Sequence, residues 1–322
     1  MSHGARAWFA LFAASIVAVT ACGARTGLRV DELSRDAGVE LDAGSDVLVD
    51  APEEPDALDE PDVEDPFPDV VVTDCKDAGI TYIYLISAQN VLLRFYPPDL
   101  SIKAIGTITC PTTSPANPFS IAVDRSGIAH VLFDNGDLFR VSTLTASCKA
   151  TGFVPLQHGF TSQFGMGFSA NKDDPGETLY VAGPNLDQPG PTDWLARIDV
   201  KTFGLTLIGP FSKYVDHPEL TGTGDSRIYG FGPSIPLQHL AEIDKPTATI
   251  DSDVLVNLQQ PGISAWAFAF WGGKFYFFTA ASPDGSSVIH VYTPGDTTTP
   301  PEVADVGLTV VGAGVSTCAP LE

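Results

Sequence analysis

Asp216 and His217 are adjacent in the sequence, and a carboxylate beside an imidazole can transfer protons in acid–base catalysis. No serine or cysteine nucleophile in a Gly-X-Ser-X-Gly context accompanies the pair. The later histidines form no His-X-His or His-Glu-X-X-His group of the kind that binds zinc. These other histidines are His130, His158, His239 and His290. We predict no catalytic set, no metal site and no cofactor, and we take Asp216 and His217 as the acid–base candidates if the protein is an enzyme.

A second group of residues has side chains suited to contacting a ligand. Aromatic, imidazole and carboxylate groups occur close together in loop-like stretches, and near a proline-rich loop at 183–193. Such a mixture suits the binding of sugars or peptides. The candidate ligand-facing residues are His158, Phe160, Trp194, Tyr214, Asp216 and His217. Each of them could instead pack between structural units, so both interpretations stay open.

Turn signals separate short strand-like runs throughout the chain beyond Cys75. Asp134-Asn135-Gly136-Asp137 resembles a cation loop in composition, but Asn-Gly is also favoured in tight hairpins because both residues tolerate positive φ. We interpret it as a hairpin turn. No stretch sustains a helical period, so the folded part should be all-β.

Five segments alternate small and large residues with a period of two, which places the small side chains on one face of each strand. Their small faces are Ser120, Ala122, Asp124; Gly165, Gly167, Ser169; Gly222, Gly224, Ser226; Ala265, Ala267, Ala269; and Gly312, Gly314, Ser316. Three further strand-like runs follow each of the first four, giving a repeat of about 40 to 50 residues. This repeat favours a β-propeller, in which a bulky face packs against a neighbour's glycine or alanine face. A β-sandwich with glycine-rich strands is the alternative.

The repeat resembles divergent bacterial propellers of the NHL or kelch-like class. A Leu-X-X-Ile-Asp-X-X-Thr pattern occurs most clearly at Leu195, Ile198, Asp199 and Thr202, and a kelch-like Gly-Gly pair occurs once, at 272–273. The resemblance covers residues 75–322 and implies the architecture, without any site residues.

The ends of the folded region complement each other. The run from Tyr82 to Ile86 reads as the second strand of a blade with no innermost strand before it, whereas 311–318 reads as an innermost strand. We predict a five-bladed β-propeller closed by this C-terminal strand, with no exposed sheet edge. The innermost strands would offer only Asp124 and Asp225 as acids, too few for the carboxylate sets of a glycosidase.

Four cysteines remain in the folded region once Cys22 is set aside, an even number that suits two disulfides in an exported chain. Cys75 and Cys318 flank the predicted closure on one face of the ring. Cys110 and Cys148 follow or end outermost strands, which places them on the other face. We predict the pairs Cys75–Cys318 and Cys110–Cys148.

The N-terminal region has the layout of a secretory signal, with Arg6 before an apolar run at 8–21. Val19-Thr20-Ala21-Cys22 resembles the lipobox of bacterial lipoproteins. The resemblance implies removal of residues 1–21, lipidation of Cys22 and attachment to a membrane. Gly23 follows the cysteine instead of the Asp typical of inner-membrane retention, which favours the outer membrane. A transmembrane anchor and an ordinary cleaved signal are the alternatives.

Residues 22–74 form the predicted spacer, and its part from Asp31 to Asp74 is strongly acidic, with seventeen acids and one base. Low hydrophobicity and high like charge predict a disordered, extended linker. The formal net charge of the chain is -23, which argues against nucleic acid as a partner because phosphate backbones attract basic proteins.

The sequence thus predicts a monomeric, lipid-anchored protein of the bacterial cell envelope that displays a propeller (75–322) for binding an envelope protein or a glycan. The alternative is a carbohydrate-active hydrolase or lyase that uses the loops pointing away from the membrane.

Overall fold

The computed structural model describes residues 67, 75, 81–215, 217–233, 238–281, 285–303 and 305–322. All of them belong to a single unit, Glu60–Glu322. Several parts of the prediction lie outside the described residues. These are the signal peptide and lipobox, the linker apart from Phe67, and Asp216. Within the described residues, no helix has the length and apolar character needed to cross a membrane.

The described strands form five antiparallel sheets of four strands each, which are the blades of a propeller. Blade 1 consists of β20 (Val310–Val315), β1 (Ile83–Ser87), β2 (Val91–Tyr96) and β3 (Ser101–Thr107). Blade 2 consists of β4 (Pro118–Val123), β5 (Ile128–Phe133), β6 (Leu138–Ser142) and β7 (Cys148–Ala150). Blade 3 consists of β8 (Gly165–Ala170), β9 (Glu177–Gly183), β10 (Trp194–Ile198) and β11 (Leu205–Pro210), preceded by a 3-10 turn, η1 (Gln157–Gly159). Blade 4 consists of β12 (Glu219–Gly222), β13 (Ile228–Gly232), β14 (Gln238–Ile243) and β15 (Ile250–Val256). Blade 5 consists of β16 (Ala265–Trp271), β17 (Lys274–Ala280), β18 (Val288–Tyr292) and β19 (Pro301–Val303).

The C-terminal strand closes the ring as the sequence predicts. β20 pairs antiparallel with β1, with Ile83 opposite Val315 and Ile86 opposite Gly312. The chain is therefore an all-β, five-bladed propeller. One detail of the prediction is wrong, because among the described residues the fourth strand of each blade pairs with a neighbour on one side only. Closure removes only the edge that β1 would otherwise expose.

The small residues of the innermost strands allow neighbouring blades to approach backbone to backbone. A Cβ built on Gly165 would overlap the Pro218 carbonyl oxygen, and one built on Gly222 would overlap the Phe168 carbonyl oxygen. The third innermost strand ends at Gly222, so Gly224 lies in the following turn and not on the strand as predicted. The physical reason for the small face is nevertheless the predicted one, because no side chain fits between these strands.

A hydrophobic cluster fills each of the five junctions between blades. Blades 4 and 5 meet through stacked and tilted aromatic rings, among them Phe231 and Phe277 with ring centroids 4.5 Å apart. Blades 1 and 5 meet at Phe95 and Phe278, whose centroids are 5.5 Å apart. The core is thus divided into five separate layers, each supplied by the two blades beside it.

Both predicted disulfides form. Cys75 bonds to Cys318 and Cys110 to Cys148, with Cα–Cα distances of 5.2 Å in each case. The predicted location of the second bond is wrong in one respect, because Cys148 begins the outermost strand β7 instead of ending one. Sheet twist accumulates from the innermost to the outermost strand. It brings the chain after β3 beside the start of β7.

Substitution of Gly222 by alanine tests the close approach of the innermost strands. The added methyl group would overlap the backbone of β8, so we expect the free energy of unfolding to fall by about 2 to 3 kcal/mol. Gly190→Ala is the matched control, because a Cβ at that position meets nothing within 4 Å. Chemical denaturation would measure both, and equal stability of the two variants would contradict the packing argument.

Candidate functional site

One face of the ring, which we call the loop face, carries the segments that lead into the innermost strands and those that join second to third strands. Contacts between blades show that these segments lie side by side. Gln163 Nε2 donates to the Asp134 carbonyl oxygen at 3.0 Å, and Trp266 Nε1 donates to the His217 carbonyl oxygen at 3.2 Å. The opposite face, which we call the closure face, carries Cys318 and the hairpins between first and second strands.

Two loops around blade 3 are fastened to each other on the loop face. The segment at 151–164 and the loop at 183–193 pair through Phe160 and Asn185. The buried Asn185 side chain donates from Nδ2 to the His158 carbonyl oxygen at 3.3 Å, and the Leu186 amide donates to the Gly159 carbonyl oxygen at 2.7 Å. Backbone hydrogen bonds and a buried amide therefore hold these loops in one arrangement.

Two non-glycine residues in this region adopt left-handed backbone conformations. Leu156 has a φ of 64° and His158 a φ of 53°, a region that histidine occupies more readily than most residues but that leucine seldom occupies. Such strain persists where surrounding contacts enforce it, and it is common at binding sites. The Leu156 side chain is 53% exposed.

The predicted ligand-facing residues differ in how exposed they are in the structure. His158 and Tyr214 are exposed on the loop face, His217 is exposed, and Trp194 is half-buried against the junction of blades 2 and 3. Phe160 is fully buried at that same junction, with its ring centroid 5.8 Å from that of Phe164. The prediction that Phe160 faces a ligand is therefore wrong, because its ring completes the core.

His217 lies close to an acidic residue that is distant from it in the sequence. Its Nδ1 lies 3.8 Å from Asp193 Oδ2, and the Asp193 side chain is largely buried while that of His217 is 65% exposed. Asp193 ends the loop at 183–193, so the two residues meet only through the packing of blades 3 and 4. A held carboxylate beside an exposed imidazole can orient that ring and accept its proton.

An exposed hydrophobic surface occupies the loop face around blade 3. It consists of Val154, Leu156, Leu186 and Tyr214, and their exposed fractions lie between 53% and 63%. We call these four residues the apolar patch. Val154, Leu156 and Leu186 come from the two loops that carry the strained residues and Asp193, and Tyr214 comes from the segment between β11 and β12. Sequence analysis considered only the polar and aromatic residues of these loops and missed the aliphatic ones, although three aliphatic side chains in polar loops are a visible signal.

Glu219 is a buried carboxyl group that the sequence analysis also missed. It begins innermost strand β12 and accepts a hydrogen bond from Ser120 Oγ at 2.7 Å. Burial raises the pKa of Glu219 to about 8, although the hydrogen bonds from Ser120 and from the Met166 backbone amide act in the opposite direction. The acids predicted for the innermost strands, Asp124 and Asp225, instead lie just beyond the ends of β4 and β12.

A second buried carboxyl group, Glu177, lies on the closure face. Thr317 Oγ1 donates to Glu177 Oε2 at 2.7 Å, and the Arg125 amide donates to Glu177 Oε1 at 2.7 Å. Arg125 Nε also donates to Thr317 Oγ1 at 2.7 Å. Burial raises the pKa of Glu177 to about 7. This network joins blades 1, 2 and 3 next to Cys318, so we assign it to ring closure.

Metal binding finds no support in the described part of the chain, where no group of three or more His, Cys, Asp or Glu residues could hold an ion. The apolar patch and the His217–Asp193 pair are the features of the described loop face that we consider as a candidate site.

Comparisons with known proteins give no function for this chain. No family model matches the chain, and no curated protein matches it. A chain from a nidogen/laminin complex is similar at 9% identity and a TM-score of 0.44, covering 74% of this chain and 99% of that one. The Dos1 propeller is similar at 10% identity and a TM-score of 0.39, covering 74% and 70%. A chain of a mitotic checkpoint complex is similar at 12% identity and a TM-score of 0.38, covering 85% and 93%. At these values no site residue or activity carries over to this chain.

Substitution of Glu219 by glutamine should change how stability depends on pH. The pKa is about 4.5 in the unfolded chain and about 8 in the folded one, so the folded state holds the proton more tightly. The contribution of Glu219 to the free energy of unfolding is fully present below about pH 4.5 and is lost as the pH rises through 8. We expect Glu219→Gln to be more stable than the native chain at pH 9, by an amount on the order of several kcal/mol. The difference should disappear at pH 4.

Denaturant titrations at pH 4 and pH 9 would measure this effect. Glu302→Gln is the matched control, because Glu302 is exposed on β19. A stability difference between native and Glu219→Gln chains that is the same at both pH values would contradict the assignment.

Proposed function

We propose that this chain is a lipid-anchored protein of the bacterial cell envelope whose propeller binds a partner protein through the apolar patch on the loop face. The observation that carries the proposal is the exposure of Val154, Leu156, Leu186 and Tyr214 on adjoining loops. Exposed apolar side chains grouped on neighbouring loops are typical of surfaces that bind proteins. Three of the four are aliphatic, which suits a protein surface better than a sugar, since sugars stack on aromatic rings.

The fixed shape of the patch supports a specific interaction. Asn185 is buried and joins the two loops by a hydrogen bond to the His158 carbonyl oxygen, and Leu156, in the first of these loops, is exposed. Loops that are already ordered lose little conformational entropy on binding, so more of the contact energy appears as affinity.

The proposed anchor rests on the sequence motif Val19-Thr20-Ala21-Cys22. With residues 1–21 removed and Cys22 lipidated, residues 22–74 would serve as the spacer. The spacer joins the ring at Cys75, which is bonded to Cys318 on the closure face. The loop face would then point away from the membrane, which suits contact with a partner. The residue after Cys22 is Gly23, which favours the outer membrane.

The His217–Asp193 pair favours a second candidate function, in which the protein cleaves an envelope carbohydrate as a hydrolase or a lyase. The exposed imidazole and the largely buried carboxylate lie 3.8 Å apart, which is longer than a hydrogen bond but close enough for the carboxylate to attract the ring when it is protonated. In that case His217 would transfer the proton, and Asp193 would hold the ring in place of the acid expected at 216.

Removal of the apolar patch should weaken partner binding without unfolding the ring. We expect the combined variant Leu156→Ser, Leu186→Ser and Tyr214→Ser to raise the dissociation constant of an envelope partner by at least about a hundredfold. The combined variant Leu144→Ser and Leu255→Ser is the control, because these exposed residues lie outside the patch. Crosslinking in envelope extracts would identify the partner, and titration would compare the variants.

Equal binding by the patch variant and the control would contradict the protein-binding proposal. Turnover of a polysaccharide library that is lost in His217→Ala would support the second candidate instead.

Substitution of Cys22 by serine tests the anchor independently of the propeller. We expect the variant to lose incorporation of labelled palmitate and to move from the membrane fraction to the supernatant, because the acyl chains attach to the cysteine sulfur. Thr20→Ala keeps a small residue in the motif and should retain both properties. Labelled, membrane-bound Cys22→Ser would contradict the anchor.

A further inference from the structure

One aromatic residue of the acidic tract, which we define as residues 31–74, packs against the outer edge of blade 2. Phe67 is only 6% exposed. Its ring centroid lies 5.7 Å from Arg140 Cζ and 5.7 Å from Lys149 Nζ. Phe67 is the single aromatic residue of the tract. A buried ring in a tract so rich in charge indicates a specific contact.

The two cations that hold the ring are direct neighbours. Arg140 on β6 is paired with Lys149 on β7, so the two side chains point to the same face of the sheet. Like charges in directly opposed positions repel. Within the described residues, neither cation forms an ion pair with a carboxylate. The negative face of one aromatic ring attracts both cations and offsets their repulsion.

The sequence around Phe67 matches this positive surface. The residues are Glu64-Asp65-Pro66-Phe67-Pro68-Asp69, with acids on both sides of the ring. Chain geometry alone keeps the Cα atoms of residues 65 and 69 within about 7 Å of that of Phe67, whatever conformation they adopt. Two prolines restrict the unbound chain, which lowers the entropy lost when Phe67 is held.

The surface that receives Phe67 is itself fixed. β7 is only three residues long, and Lys149 is its middle residue. The preceding residue, Cys148, is bonded to Cys110 of the segment after blade 1. Just beyond β7, Thr151 Oγ1 donates to the Leu138 carbonyl oxygen at 2.6 Å. A disulfide and a hydrogen bond therefore position Lys149 from both ends of its strand.

We propose that Arg140 and Lys149 form a recognition site at the outer edge of blade 2 for an aromatic residue flanked by acids and prolines, and that Phe67 of the same chain occupies it. The acidic tract is then attached to the ring at Phe67. The site lies on one face of the sheet, over strands β6 and β7. The proposal is independent of the lipid anchor and of the apolar patch.

Limited proteolysis of the full chain with a Glu-specific protease tests the proposal. The Glu64–Asp65 bond lies three residues before Phe67, and the Glu40–Leu41 bond in the same tract serves as the internal reference. When opening is fast, cleavage follows the population of the released chain. We expect Phe67→Ala to raise the rate at Glu64–Asp65, relative to the reference bond, by about tenfold or more. The double variant Arg140→Ala and Lys149→Ala should do the same.

Two controls make the result specific. Phe67→Trp keeps an aromatic ring and should keep the protection, whereas Leu58→Ala changes another apolar residue of the tract and should leave the rate ratio as in the native chain. A ratio in Phe67→Ala equal to that of the native chain would overturn the proposal.

A dilution series shows whether Phe67 of the same chain or Phe67 of a second copy occupies the site. With Phe67 bound in its own chain, protection is independent of protein concentration and the native chain sediments as a monomer. Protection that is lost on dilution, together with a dimer that Phe67→Ala abolishes, would show that a second copy's Phe67 fills the site and would overturn the assignment to the same chain.

Discussion

Backbone contact between the innermost strands of neighbouring blades is the constraint on which the ring depends. At Gly165 and Gly222 a methyl group would overlap the carbonyl oxygen of the adjoining strand. Five twisted sheets can converge on one axis only where their side chains leave room. The large residues on the opposite faces of these strands then fill the five junctions between blades. The same alternation that lets blades approach therefore also supplies the core.

A ring of this kind must also be held shut, because its first and last strands come from opposite ends of the folded chain. β20 and β1 pair over their whole length, and the Cys75–Cys318 bond spans 243 residues. In the chain-entropy description a disulfide across so long a loop contributes several kcal/mol. Next to it, Thr317 contacts both Arg125 and Glu177, so the closing segment is joined to blades 2 and 3 as well. Closure thus combines a covalent bond, a strand pairing and a buried polar network.

This rigid ring presents two surfaces with different chemistry. On the loop face, tied and strained loops expose an apolar patch beside the His217–Asp193 pair, which suits a partner protein. On the outer edge of blade 2, two opposed cations receive the aromatic ring of Phe67. Both surfaces come from segments outside the innermost strands, where sequence can vary without disturbing the ring. The Cys110–Cys148 bond serves the second surface because it holds the strand that carries Lys149.

The blade count and the closing role of the last strand could be predicted from the sequence, because a strand's alternation is a local property that survives in any context. The Cys75–Cys318 pairing followed from the order of the blades, whereas Cys110–Cys148 forms although Cys148 begins its strand instead of ending one. The third innermost strand was misplaced, because Gly224 and Ser226 continue the alternation into a turn. Phe160 was misassigned, since an aromatic residue in a loop has the same local pattern whether it is buried or exposed. The partnership of His217 with Asp193, the burial of Glu219 and the contact of Phe67 with Arg140 and Lys149 join residues that are distant in sequence. Only the tertiary structure decides such contacts, because they depend on how whole blades are oriented and not on any spacing along the chain.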